Sequence, residues 1–149
     1  NSCDTENMIA AVWEGSTLVA DGTVVAAVTA DGELTVDGQR ITITHTAGAL
    51  RWEVKGTSAD ENFRIRMRGL GTGTLTARCG SRRYRAERNG TFSTTRSIFN
   101  DDGILVARTA PRKGTELHVE LFDAAPLPDL AFITWALTYM DTPGRNTRI

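Results

Sequence analysis

The stretch LPDLAFITWALTYM, residues 127–140, decides the fold, because only this stretch has the composition of a helix in a chain that otherwise consists of short β-favouring runs. Thr134 and Thr138 are the only polar interruptions between positions 130 and 140, so no face of such a helix suits water. At about 1.5 Å per residue the stretch is about 21 Å long, well short of the ~20 apolar residues that span a bilayer. The sequence therefore predicts a helix buried on all sides by protein.

About a dozen β-favouring runs precede this helix. They lie at 8–13, 17–19, 23–28, 33–36, 40–46, 50–55, 63–68, 74–79, 82–87, 92–99, 104–109 and 115–122, and many are separated by Asp-Gly or Asn-Gly. Such pairs supply the positive φ values that two-residue hairpins need, so consecutive strands should pair antiparallel. We predict an all-β fold, a closed antiparallel β-barrel of about twelve strands around the 127–140 helix, with residues 1–149 as one domain. The alternative is a β-sandwich with the helix packed across an open end.

The clearest alternation in the chain, at residues 63–68, places apolar side chains on one face of a strand and arginines on the other. Arginines on one side of a strand are about 6.6 Å apart, which suits several separate phosphates. A strand close in sequence could present two more. The candidate ligand-binding residues are Arg64, Arg66, Arg68, Arg83 and Arg85. The competing interpretation is a solvated barrel exterior in an arginine-rich chain.

Charge is unevenly distributed along the sequence. Residues 64–88 contain eight arginines and one acidic residue, Glu87, for a net charge of +7, so the remainder carries −8 and the whole chain −1. A net charge near zero argues against a dedicated nucleic-acid binder. The segregation of charge along the chain predicts a molecule with one positively and one negatively charged side.

Catalytic and metal-binding patterns are sparse. Cys3 and Cys79 are too few for a disulfide framework, and the alternation around Cys79 favours a buried free thiol over pairing with Cys3. His45 and His118 lie 73 residues apart without zinc-ligand spacing, and His45 should be a satisfied, inward-facing histidine. We expect no metal site, no cofactor and no enzyme activity.

His118 shares a strand face with Glu116 and Glu120. This grouping predicts a surface ion cluster, with an acid–base site as the alternative.

The order of elements from residue 84 to residue 141 resembles a known superfamily. It consists of a tyrosine-containing strand, the run 92–99, the turn and strand NDDGILVARTA at 100–110, the strand HVELF at 118–122, and PLPD at 126–129 before the helix. This pattern is similar to that of the tubby C-terminal-like superfamily, which includes the LURP-one-related and phospholipid scramblase families. The resemblance implies a closed twelve-stranded barrel threaded by its last helix. It implies function only loosely and transfers no lipid-binding residue.

These observations together predict a non-enzymatic binding module. Its ligand would be an anionic phospholipid headgroup or another phosphate-bearing molecule held by the arginine face. The alternative is a structural or protein–protein interaction domain that contacts a partner protein. We expect no transmembrane segment, no nucleic-acid partner, and a cytoplasmic or peripheral membrane location.

Overall fold

The computed structural model describes residues 8–47, 51–69 and 73–142, which form a closed antiparallel barrel around one helix. The strands follow one another round the barrel in chain order, and β1 closes it by pairing with β12. They are β1 (Met8–Glu14), β2 (Thr17–Ala20), β3 (Thr23–Val28), β4 (Glu33–Val36), β5 (Gln39–Ala47), β6 (Trp52–Thr57), β7 (Asn62–Met67), β8 (Thr74–Cys79), β9 (Arg82–Arg88), β10 (Arg96–Asn100), β11 (Leu105–Pro111) and β12 (Leu117–Phe122), followed by helix α1 (Leu127–Asp141). The predicted barrel is confirmed, and its closure excludes the sandwich alternative.

Helix α1 lies inside the barrel, as its composition predicts. Every residue from Pro128 to Thr138 is buried. Trp13 on β1 donates a 2.8 Å hydrogen bond from Nε1 to Oγ1 of Thr134, and its ring centroid lies 5.1 Å from that of Trp135. The Thr134 and Thr138 hydroxyls donate to helix carbonyls, so the two polar residues of the apolar helix are satisfied. In the part of the chain that the structure describes, no helix is long and apolar enough to cross a bilayer.

An ion pair between a buried carboxylate and a partly exposed arginine fastens the beginning of α1 to the wall. Asp129, fully buried, accepts hydrogen bonds of 2.6 and 2.9 Å from Arg82 at the start of β9 and one of 2.5 Å from the Tyr84 hydroxyl. Arg82 also donates two 2.9 Å bonds to Glu61 in the β6–β7 turn. One guanidinium therefore joins a helix, a strand and a turn.

A second ion pair, in which both side chains are buried, fastens the end of α1. Arg96 at the start of β10 is fully buried and donates bonds of 2.7 and 3.2 Å to the Asp141 carboxylate. Both pairs run between wall and helix, so the helix is held at each terminus by charge and along its length by packing.

Gly56 on β6 allows the wall to approach the helix closely. A Cβ at this position would lie 2.6 Å from Cγ2 of Ile41 and 2.9 Å from Cε1 of Phe132 on α1. Phe132 also packs against Phe63, with ring centroids 5.3 Å apart. Only a hydrogen fits between these side chains.

We expect Gly56→Ala to lower the free energy of unfolding by about 1–3 kcal/mol, because the added methyl overpacks a filled core. Urea unfolding followed by circular dichroism measures the change. Gly73→Ala is the matched control, since no atom of the described residues lies within 4 Å of its Cβ position. Equal stability of the two variants would contradict the close approach.

The Asp-Gly turns follow the prediction at two places. Asp21 and Gly22 both have positive φ (53° and 74°), as do Asp37 and Gly38 (50° and 75°), and each pair forms a two-residue hairpin. At the other two pairs, Asp31-Gly32 and Asp102-Gly103, only the glycine has positive φ, and the turns are longer.

The predicted strand at 92–99 is wrong in its first half, because β10 begins only at Arg96. Asn89 and Ser93 hydrogen-bond to the Thr95 hydroxyl, and the Asn89 amide donates to the Thr95 carbonyl. These local bonds compete with strand pairing and close a loop at Asn89-Gly90. Phe92 stands on this loop, 99% exposed.

Candidate anion-binding site

The outer faces of β7, β8 and β9 bring arginines side by side. Arg64 lies opposite Arg78, and Arg78 lies opposite Arg83. In the next row Arg66 and Arg85 flank Thr76 from the two sides. Directly opposed side chains have Cβ atoms about 4.5–5.5 Å apart, at which distance like charges are destabilising. The wall thus concentrates positive charge at a cost to its own stability.

These five arginines line a solvent-open depression of about 360 Å³. Thr76 lies at its centre, and Asn100 and Asp101 border it from the β10–β11 turn. Asp101 is the one carboxylate among the lining residues. The depression therefore presents donors and positive charge, a combination suited to an anion.

Two of the arginines are held in place by carboxylates. Arg64 donates from Nε to Glu53, and Arg85 donates from Nε to Glu87 while its guanidinium lies 5.4 Å from the centre of the Phe99 ring. The wall thus orients these two guanidinium groups and offsets part of their charge.

The other three arginines are unpaired. Across the described ranges, the side chains of Arg66, Arg78 and Arg83 have no hydrogen bond and no ion pair with the protein. Their guanidinium groups, fifteen N–H donors in all, are left for a ligand or for water.

Glu53 is buried although it lies on the outward face of β6. Only 4% of it is exposed, because Arg51, Lys55 and Arg64 cover it. Burial acts to raise the pKa of this carboxyl, but the hydrogen bond and charge of Arg64, with the charges of Lys55 and Arg51, outweigh burial and lower it. Glu53 is therefore charged at neutral pH and anchors this edge of the site.

The structure brings together four of the five arginines that the sequence suggested. Arg68 is the exception: β7 ends at Met67, and Arg68 is exposed in the turn that follows, outside the depression. Arg78 takes part instead, although it was not among the candidates. The alternation of residues 74–79 puts Arg78 outward, but its place beside Arg64 and Arg83 follows only from the strand register.

A second depression, of about 690 Å³, lies on the outer face of β1, β11 and β12 and includes His118 and Glu120. Glu120 is bound to Arg108 at 2.7 Å, and His118 Nε2 lies 3.7 Å from the nearer Glu116 oxygen. The second of these distances exceeds a hydrogen bond. This arrangement matches the predicted surface ion cluster.

The remaining polar candidates, Cys79 and His45, point away from solvent. Cys79 is a free, buried thiol whose pKa is raised by burial, so it stays protonated; Cys3 lies outside the described residues. His45 faces inward and stacks on Tyr139 with ring centroids 4.2 Å apart. Burial lowers its pKa, and within the described ranges its Nε2 has no hydrogen-bond partner, so this histidine is packed but not fully satisfied. The described residues contain no group of three or more His, Cys, Asp or Glu side chains able to hold a metal ion.

Comparisons with known proteins do not assign this chain to a family. No protein-family model, no curated protein and no solved structure matches the chain significantly.

Proposed function

We propose that this barrel is a non-enzymatic binding module that recognises clustered phosphate groups through the depression on β7–β9. The observation that carries the proposal is the cross-strand row of Arg64, Arg78 and Arg83, in which the last two have no counter-ion among the described residues. A merely solvated barrel surface gains nothing from opposing like charges.

The chemistry of guanidinium fits this ligand class. Each guanidinium offers a planar fork that donates to two oxygen atoms of one phosphate at once. It stays protonated at physiological pH. Neighbouring strands are about 4.8 Å apart and alternate residues about 6.6 Å apart, so the arginines match several phosphates better than one carboxylate. Thr76 and Asn100 add neutral hydrogen-bonding groups to the lining of the depression.

The magnitude of the attraction limits the affinity. Three unpaired arginines at about 1 kcal/mol each give about 3 kcal/mol at an anionic surface, which alone corresponds to millimolar binding. The clustered phosphate groups could belong to anionic phospholipid headgroups or to a soluble polyphosphate. Separate binding measurements on vesicles and on a soluble polyphosphate distinguish the two.

We further propose membership of the tubby C-terminal-like superfamily. The resemblance of residues 84–141 is its basis, and a closed barrel of twelve strands around a hydrophobic helix agrees with that architecture.

The first test combines Arg66→Gln, Arg78→Gln and Arg83→Gln in one chain. We expect about a hundredfold loss of binding to inositol hexakisphosphate and to phosphatidylserine-containing vesicles, since about 3 kcal/mol of attraction is removed. Titration calorimetry and vesicle sedimentation, each at low and physiological salt, measure the two ligands separately. Wild-type binding should weaken as salt is added.

The matched control removes the same charge elsewhere through Arg40→Gln, Arg112→Gln and Lys113→Gln, three exposed side chains outside the depression. It should retain most of the binding. An equal loss in both variants would indicate a response to total charge and would overturn the site. Absence of wild-type binding to both probes would overturn the proposed function in favour of a protein-interaction domain.

A further inference from the structure

The end of the barrel at which α1 begins is acidic. Its turns carry six carboxylates that pair with no cation in the described part of the chain: Asp21, Asp37, Asp60, Asp101, Asp102 and Asp123. Exposed carboxylates of this number repel an anionic surface. An anionic partner must therefore approach the wall or the opposite end.

The opposite end carries the most exposed large apolar side chain of the described residues, Phe92 at 99%. Hydrogen bonds hold the loop that carries it. The Ser93 backbone amide donates to the Gly90 carbonyl, and the bonds between Asn89 and Thr95 join the two ends of the loop. Phe92 is thus presented to solvent by a hydrogen-bonded turn. An aromatic ring held away from the core in this way forfeits the burial that usually stabilises it.

Positive charge lies near the base of this loop. The Arg88 backbone amide donates to the Gly73 carbonyl, and the Arg68 backbone amide donates to the Thr74 carbonyl, so Gly73 and Arg68 lie close to the strand end from which the Phe92 loop starts. Arg68, exposed and outside the depression, therefore flanks the loop. The acidic residues of this end lie on the β1–β2, β3–β4 and β11–β12 turns.

The loop and the arginine depression share one side of the barrel. Arg85 precedes Asn89 by four residues and Arg83 precedes it by six, about 13 and 20 Å along β9 and less along the tilted barrel axis. A bilayer whose interface receives Phe92 would thus meet Arg68 first and Arg66 and Arg85 next, while the row of Arg64, Arg78 and Arg83 lies farthest from it, toward the acidic end.

We propose that Phe92 inserts into the interface of an anionic bilayer and so provides the second anchor that the arginines need. This inference rests on the proposed function and names a membrane as the source of the phosphate groups. Aromatic side chains favour the membrane interface, where an apolar ring leaves water while nearby cations face anionic headgroups.

The test compares Phe92→Asp with wild type on vesicles of phosphatidylcholine containing phosphatidylserine and, in parallel, on soluble inositol hexakisphosphate. Vesicle partitioning should fall at least about tenfold, because a buried phenyl ring contributes more than a factor of ten, while soluble binding should not change. Val24→Asp is the matched control: Val24 is 54% exposed, but at the acidic end and on β3, on the other side of the barrel from the depression, and this variant should bind vesicles as wild type does.

Phe92→Trp gives a second readout. Trp13, Trp52 and Trp135 are all at most 5% exposed, so a blue shift of emission on adding vesicles would report the introduced indole entering the interface. Unchanged vesicle binding by Phe92→Asp, or no shift for Phe92→Trp, would overturn the inference. Wild-type binding to the soluble probe without any binding to vesicles would also overturn it and would leave the proposed function standing. If the wild-type protein binds neither vesicles nor inositol hexakisphosphate, both this inference and the proposed function are wrong.

Discussion

Asp141→Leu should lower the free energy of unfolding by about 3–5 kcal/mol, a large part of the stability of an ordinary domain. The substitution leaves Arg96 fully buried without its counter-ion. A guanidinium cannot lose its proton in a protein, so the uncompensated charge persists at every accessible pH. Chemical unfolding at neutral pH measures the loss.

The opposite deletion, Arg96→Met, should cost less than Asp141→Leu. Burial already raises the pKa of Asp141, and Arg96 opposes that shift only in part. Without Arg96, the carboxyl can become neutral by taking up a proton. The double variant, with Met and Leu at the two positions, should recover most of the stability, since apolar residues replace a buried pair at little net cost. A double variant as unstable as the sum of the two single variants would contradict this account.

The other large effect is expected for Arg82→Met, at about 3 kcal/mol, the lower end of the range for Asp141→Leu, because the carboxylates that it leaves unpaired can take up a proton. Asp129 is fully buried and would keep only the Tyr84 hydroxyl as a partner, while the Glu61 carboxylate would lose both of its bonds. The beginning of α1 would then lose its fastening to β9. Thermal and urea unfolding should report a less stable barrel with the same strand content.

The dependence of stability on pH tests the role of Glu61 in this cluster. The Arg82 hydrogen bonds lower the pKa of Glu61 below its ordinary value of 4.5. A carboxyl with a depressed pKa contributes stability above its unfolded pKa, and this contribution is lost as pH falls through the folded value. Wild type should therefore lose this contribution on acidification below about pH 4.5, whereas Arg82→Met has none to lose. Tyr84→Phe, which removes one hydrogen bond, should cost only about 1–2 kcal/mol and keep the wild-type pH dependence. A milder loss for Arg82→Met than for Tyr84→Phe would show that the ion pair does not fasten the helix.

The sequence located elements well where hydrophobic pattern decides them. Helix α1 was predicted to within one residue of its end, because its apolar residues leave no face for water. The strand around Phe63 and Ile65 was predicted because its alternation is unbroken. The 92–99 run was misjudged because Asn89, Ser93 and Thr95 bond to one another locally, and composition does not reveal that competition.

The candidate site was only partly predictable. Arg66 and Arg83 could be placed outward from alternation, but Arg68 lies outside the depression because the strand ends one residue before it. Arg78 joined the site only through the pairing of β8 with both neighbours. Charge counting could not separate Arg82, which fastens the helix, from the arginines that face solvent.

The sequence by itself determined that a chain of antiparallel strands would enclose a helix, since periodicity and turn chemistry act over a few residues. Tertiary structure decided which charges meet. Arg82 finds Asp129 across 47 residues, and Arg96 finds Asp141 across 45. The row of Arg64, Arg78 and Arg83 depends on the register of three strands. Closure of the barrel fixes that register and brings these side chains together, because a shift of one residue would turn every core side chain outward.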